Sequence, residues 1–184
     1  MTQKQHNRLF IGLDLAAKDK ISIDEWRTKF LRGLPGNPVP MENFHITLSF
    51  LGQVDDKQFE RLDELLSDIK HPTFNLQMTD MGYFTKPKVL YIETSLPSEL
   101  QALATDCMQV NKSLGLKLHH DRYRPHISLY RKHPVGFPFE GSLPSAQLHF
   151  EQFHLFRSVS SQKPGQPPSY PIIKSYDLLP KFHR

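Results

Sequence analysis

The chain has 184 residues, 38% of them hydrophobic and 23% charged, with a formal net charge of +4 and a single cysteine, Cys107. A chain of that size buries a core without disulfides or a structural metal, and its composition excludes intrinsic disorder. One cysteine permits no internal disulfide and fits a reducing compartment, while the mild basic excess favours a polyanionic partner without the dense Lys/Arg runs of a dedicated nucleic-acid binder.

The first element, RLFIGLDL at 8–15, reads as a buried strand. With Lys4 and Arg8 before LFIGL it superficially resembles a signal peptide, but Asp14 interrupts the run and the alternation is that of a strand. No apolar run approaches the roughly 18 residues of a membrane span, and a cytoplasmic protein is expected. A helix through KISIDEWRTKFLRG follows, and a Gly/Pro loop, LPGNPVP, delivers the chain to NFHITLSFLG at 43–52. There Phe44, Ile46, Leu48 and Phe50 form an apolar face, while His45 and Thr47 point the other way.

DKQFERLDELLSDIK, 56–70, has Phe59, Leu62, Leu65, Leu66 and Ile69 at helical spacing. Two strands, TFNLQMTDMGYFT and KVLYIETS, precede a helix that Ser98 is expected to cap and that ends near Gly115. A charged loop, LKLHHDRYRP, leads into HISLYRKH, and GSLPSAQLHFEQFHLFRS and SYPIIKSYDLL supply further strands. SQKPGQPPSYP, 161–171, carries four prolines and one glycine and reads as an exposed loop with the position of a lid. The whole, 1–184, is expected to be one α+β domain with antiparallel sheet and two similar halves.

The strongest signal is a repeated tetrapeptide. HITL at 45–48 and HISL at 126–129 each read His, apolar, hydroxyl, apolar on a strand. Period-2 geometry places His45 with Thr47, and His126 with Ser128, on one face, about 7 Å apart along the strand. A phosphate fits between two such pairs, and two imidazoles with unperturbed pKa near 6.5 can divide the tasks of base and acid at neutral pH. Hydroxyls and a cationic imidazole then stabilise the non-bridging phosphate oxygens.

These motifs, with RLFIGLDL, SFLGQV and RPHISLYR, closely resemble the two-histidine (2H) phosphoesterase superfamily, and within it the bacterial LigT-like RNA 2′,3′-cyclic phosphodiesterases, historically called 2′-5′ RNA ligases. The resemblance implies a bilobal 2H phosphoesterase fold: two pseudo-symmetric lobes of antiparallel sheet flanked by helices around a central cleft. It implies hydrolysis of RNA 2′,3′-cyclic phosphate ends to 2′-phosphate, with reverse ligation where 5′-hydroxyl ends are present, and no metal or cofactor. His45, Thr47, His126 and Ser128 become the catalytic set, with His126 activating water and His45 protonating the departing 3′-oxygen. Arg131 matches a phosphate-contacting position, although strict alternation puts it opposite His126, so that role needs a bulge or the strand's end.

Other residues keep two readings. Phe10 either stacks on the terminal base or belongs to the core. Tyr83, Phe84, Tyr123 and Tyr130 either line the cleft or fill the core; Arg122 and Arg124 flank the cleft toward RNA phosphates. His119, His120, Asp121 and His126 contain metal-ligand types, but no helical histidine pair or CxxC supports a metal. Ser128 lacks the GxSxG surroundings of a nucleophile. The alternatives to an RNA-end hydrolase are a binding module for a nucleotide or RNA end, and a phosphodiesterase for small cyclic nucleotides or 2′-5′ linked oligonucleotides. An acid and base in complementary positions favour the enzyme. A monomer is expected.

Overall fold

A computed structural model of the chain describes residues 7–119, 122–136 and 138–181. The elements run β1 (Asn7–Asp14), α1 (Ala17–Phe30), β2 (Asn37–Pro38), a 3₁₀ turn (Met41–Asn43), β3 (His45–Val54), α2 (Asp56–Ser67), β4 (Phe74–Phe84), β5 (Val89–Thr94), α3 (Ser98–Ser113), β6 (His126–Arg131), β7 (Gln147–Phe150), β8 (Gln152–Arg157) and β9 (Ile172–Asp177). They build one sheet in the order β3-β1-β8-β9 and a second in the order β2-β6-β5-β4-β7, and every ladder within them is antiparallel. The α+β reading and the antiparallel sheets hold. No helix among the described residues is long and apolar enough to cross a membrane.

Local chemistry accounts for the helix ends. Asp55 accepts from Gln58 N while the Gln58 side chain accepts from Asp55 N, a reciprocal box that satisfies two otherwise unpaired donors of α2. Leu62 and Leu66, one turn apart, bury the inner face of that helix. At α3 the cap is Pro97 and not Ser98: the Pro97 carbonyl accepts the first helical bond from Gln101 N, and the Ser98 hydroxyl turns to Glu99. Gly115, at φ +68°, ends α3 in a Schellman arrangement, with Gly115 N bonded to Lys112 O and Leu116 N to Asn111 O.

The segment 147–157 crosses between the sheets. β7 pairs with β4, whereas β8, one residue later, pairs with β1 and β9. Phe153, Leu155 and Phe156 are all buried, as a central strand requires, and Glu151 is the single residue that links the two strands. The core is continuous through Leu9, Ile11, Ile46, Leu129, Ile127 and Phe153.

The two motif strands share a distortion. Thr47 lies opposite Gly12 and Ser49 opposite Ile11, so Leu48 is an extra residue in the β1–β3 ladder. Likewise Ser128 lies opposite Tyr91 and Tyr130 opposite Leu90, which leaves Leu129 over in the β5–β6 ladder. Each bulge advances the alternation by one residue. HITLSF and HISLYR accordingly share one burial pattern, with two adjacent buried residues in fourth and fifth place and an exposed sixth. Phe50 and Arg131 occupy that sixth place and return to the face of the histidines. Phe50, expected in the core, is instead 36% exposed.

Buried polar side chains pin both bulges. Arg27, from α1, donates to Leu129 O at 2.9 Å and to Val39 O at 2.6 Å, with its guanidinium over the Phe44 ring. Asn111, from α3, donates to Phe50 O at 2.7 Å and toward Ser49 Oγ at 3.3 Å. Leu129 O also accepts from Val39 N at 2.9 Å, so a side chain and a backbone donor hold the bulged residue together.

Candidate active site

Each histidine is held by a carbonyl two residues back. His45 Nδ1 lies 2.7 Å from Asn43 O, and His126 Nδ1 lies 2.7 Å from Arg124 O. A carbonyl only accepts, so Nδ1 carries the proton in both rings and Nε2 is the nitrogen available for proton transfer. In the first motif Nε2 meets the Thr47 hydroxyl at 3.1 Å, as the shared strand face requires.

Aromatic rings fix both imidazoles from the side. Phe10 lies 4.9 Å from His45, stacks on Phe156 at 4.8 Å, and is joined by Tyr170, whose ring stands edge-on to His45 at 5.2 Å. Phe84 and Tyr91 pack against His126 at 4.9 and 5.0 Å. Tyr91 lies across Gly82, its ladder partner, where any Cβ would collide with its ring. Burial pushes His45 down to about 4; the Asn43 carbonyl and Asp14 oppose that shift, and charge on Arg131 and His126 adds to it.

Both histidines and both hydroxyls line a single cleft of about 930 Å³ between the lobes. Its cations are Arg8, Arg122, Arg124, Arg131 and Lys163, and no described lining residue is acidic. A larger groove, of about 1360 Å³, carries Asp14, Asp19, Glu151 and Asp177 against Lys18 and Lys181. Size alone would favour that groove, but a polyanion is drawn to the basic cleft that also holds the titratable pair.

The structure sorts the remaining expectations. Arg131 reaches the cleft because the Leu129 bulge turns it there. Arg124 lines the cleft with its side chain and holds His126 with its carbonyl. Phe84 and Tyr123 line the cleft, and Tyr123 also donates its hydroxyl to Thr47 O at 3.1 Å, joining the lobes.

Two substrate-binding expectations need correction. Tyr130 is 7% exposed and donates its hydroxyl to Leu31 O, because the same bulge that delivers Arg131 turns Tyr130 inward. Phe10 borders the cleft but is 1% exposed, so it supports His45 and offers no open face to a base. Tyr83 donates to His133 O and is not among the cleft residues. His120 and Asp121 of the metal reading lie outside the described residues, and no cluster of metal-ligating side chains occurs among the described ones.

Phe50 and Arg8 are among the site members that sequence reasoning missed, while the loop 161–171, read as an exposed loop in the position of a lid, brings Lys163 and Tyr170 to the cleft. For Phe50 the only available signal was the parallel with Arg131 in the second motif.

The family described as LigT-like phosphoesterase matches residues 14–91, a span that contains the first motif. The RNA 2′,3′-cyclic phosphodiesterase of Escherichia coli is 30% identical over 163 residues, covering 79% of this chain and 88% of that one. The chain belongs to the LigT-like phosphoesterase family. A crystal structure of a phosphoesterase superposes on this LigT-like chain with a TM-score of 0.86 at 26% identity, covering 95% of this chain and 99% of the other. E. coli LigT complexed with 3′-AMP superposes with a TM-score of 0.83 at 28% identity, again over 95% and 99%. The second motif lies beyond the span of the family model, and the RNA 2′,3′-cyclic phosphodiesterase of Geobacillus stearothermophilus, 28% identical, covers 95% of this chain.

Proposed function

We propose that this protein hydrolyses 2′,3′-cyclic phosphate ends of RNA to 2′-phosphates by two-histidine acid/base catalysis, the reverse reaction being 2′-5′ ligation. The observation that carries this reading is the matched pair of strands, each with a histidine whose Nδ1–H is held by a carbonyl two residues back, so that both Nε2 atoms serve one basic cleft. The relatives' activity on RNA 2′,3′-cyclic phosphates supports the substrate class.

In the reaction His126 Nε2 takes a proton from water as the water oxygen bonds to phosphorus. The bond from phosphorus to the ribose 3′-oxygen breaks, and His45 Nε2–H delivers its proton to that oxygen. Thr47, Ser128 and Arg131 hold the non-bridging oxygens, whose charge grows in the transition state. His45 is neutral in the free cleft at pH 7, so its donor role requires that the bound phosphate raise its proton affinity.

One bilobal domain over 1–184, acting as a cytoplasmic monomer, fits the reading. Both halves of the site come from one chain, and the only cysteine, Cys107, is buried and joins no disulfide. The deciding experiment incubates a short RNA ending in a 2′,3′-cyclic phosphate with the protein in EDTA and resolves the product isomers. Formation of the 2′-phosphate is expected. No turnover, or a 3′-phosphate product, would overturn the reading.

A further inference from the structure

We propose that Lys20 is a positioning residue for His45, acting through the 3₁₀ turn that holds the back of the imidazole. From α1 its ammonium reaches Asp14 Oδ1 at 2.7 Å and Glu42 O at 3.1 Å. Glu42 is the middle residue of the turn Met41–Asn43, and the carbonyl of the next residue, Asn43, accepts from His45 Nδ1. Asp14 is the ladder partner of His45 itself, so Lys20 ties the turn to the strand that carries the opposite side of that pair.

The same turn meets the loop 161–171. Asn43 Nδ2 donates to Pro168 O at 2.7 Å, and Tyr170, two residues on, packs edge-on to His45. A small cavity of about 220 Å³ behind the ring is lined by Asp14, Lys20, Glu42, Asn43, His45 and Tyr170. Lys20 does not line the catalytic cleft, so it acts on the reaction only through these contacts.

The need for a tether follows from the size of the turn. It has three residues, no side-chain cap, and two backbone bonds of its own, Asn43 N to Pro40 O and Phe44 N to Met41 O. A rotation of so short a segment carries the Asn43 carbonyl with it, and an error of about 1 Å in a reacting group lowers rate by as much as a hundredfold. Lys20 is 16% and Asp14 32% exposed at the side chain, so their bond is partly shielded from solvent and holds a defined geometry. The charged and titratable groups facing His45 are Asp14, Lys20 and Glu42 from behind and Arg131 and His126 across the cleft.

This inference rests on His45 belonging to the catalytic machinery, and two readouts keep the two claims apart. Turnover of an RNA with a 2′,3′-cyclic phosphate end is measured for the wild type, Lys20→Gln, Lys20→Arg and the double variant Asp14→Asn/Lys20→Met, which strands no unpaired charge. In parallel, proton NMR follows the His45 Nδ1–H resonance, which is protected from exchange while Asn43 O holds it. Lys20→Gln and the double variant are expected to lose roughly ten- to a hundredfold in kcat with KM within about twofold, and to broaden the Nδ1–H signal. Lys20→Arg is expected to restore most of both. Wild-type kcat and a sharp signal in the double variant, or in Lys20→Gln, would overturn the positioning role. A wild type without turnover would remove the hydrolase reading, and the Nδ1–H signal would still decide whether Lys20 orders the turn.

Discussion

Binding of a phosphate is expected to turn His45 from a neutral ring into a proton donor. In the free protein burial holds the imidazole at about 4, so it is uncharged at pH 7. Seating a phosphate monoanion beside the Thr47 hydroxyl puts a negative charge about 4 Å from the ring, and at an effective dielectric constant of about 20 the attraction is about 4 kcal/mol. At about 1.4 kcal/mol per pKa unit this amounts to roughly three units and brings His45 to roughly 7 in the complex. An acid of that strength is matched to neutral pH. Carbon-edited NMR of the His45 ring, titrated in the absence and presence of saturating inorganic phosphate or 3′-AMP, measures both values, with His45→Gln assigning the resonance. A ring that still titrates near 4 with ligand bound would refute the reasoning and transfer the donor role to His126.

The same burial makes the fold acid-sensitive: His45 is lowered from 6.5 to about 4 on folding, so between those values the unfolded chain binds more protons and stability falls as pH drops. The 2.5-unit difference corresponds to about 3 kcal/mol, and the stability gap between wild type and His45→Gln in urea should change by that amount from pH 7 to 4. A constant gap would contradict the burial. Arg131→Ala should lower kcat/KM by roughly 10² to 10³ while leaving the unfolding midpoint in place, since Arg131 is exposed and serves the transition state. An unimpaired variant would remove the phosphate-binding role. Tyr130→Phe should cost about 1 kcal/mol of stability, from the hydrogen bond to Leu31 O that is lost, and leave kcat unchanged. A tenfold loss of kcat there would mean that Tyr130 serves the cleft after all. His126→Ala should abolish turnover yet keep the fold, as circular dichroism and the unfolding curve will report.

Much of the site was legible because its residue types are local and paired. HITL and HISL show on their face an imidazole and a hydroxyl at period 2, and the structure places all four side chains in one cleft. The helices were legible for a similar reason: Leu62 and Leu66 lie one turn apart, and Gly115 supplies the left-handed residue that ends α3. Ser98 misled because a hydroxyl next to a helix start looks like a cap even where the proline before it already takes that place.

Period 2 also failed at a definite point. Up to Leu48 and Leu129 the alternation gave the right faces; beyond them it gave the wrong ones, for Phe50 and Tyr130 alike. The cause lies in the partner strands and in side chains distant in sequence, with Arg27 donating to Leu129 O beside one bulge and Asn111 to Phe50 O beside the other. The crossing of 147–157 between sheets was equally hidden, since both strands carry ordinary strand composition and only their partners differ.

The sequence by itself thus determined the chemistry on offer, two imidazoles and two hydroxyls on strand faces, because side-chain direction follows from backbone period alone. Only the tertiary structure decided that Arg131 and Phe50 join them, that Tyr130 does not, and that Lys20 stands behind His45. A ladder register, its bulges and the packing of a turn are set by contacts among segments far apart in the chain, and no local pattern records them.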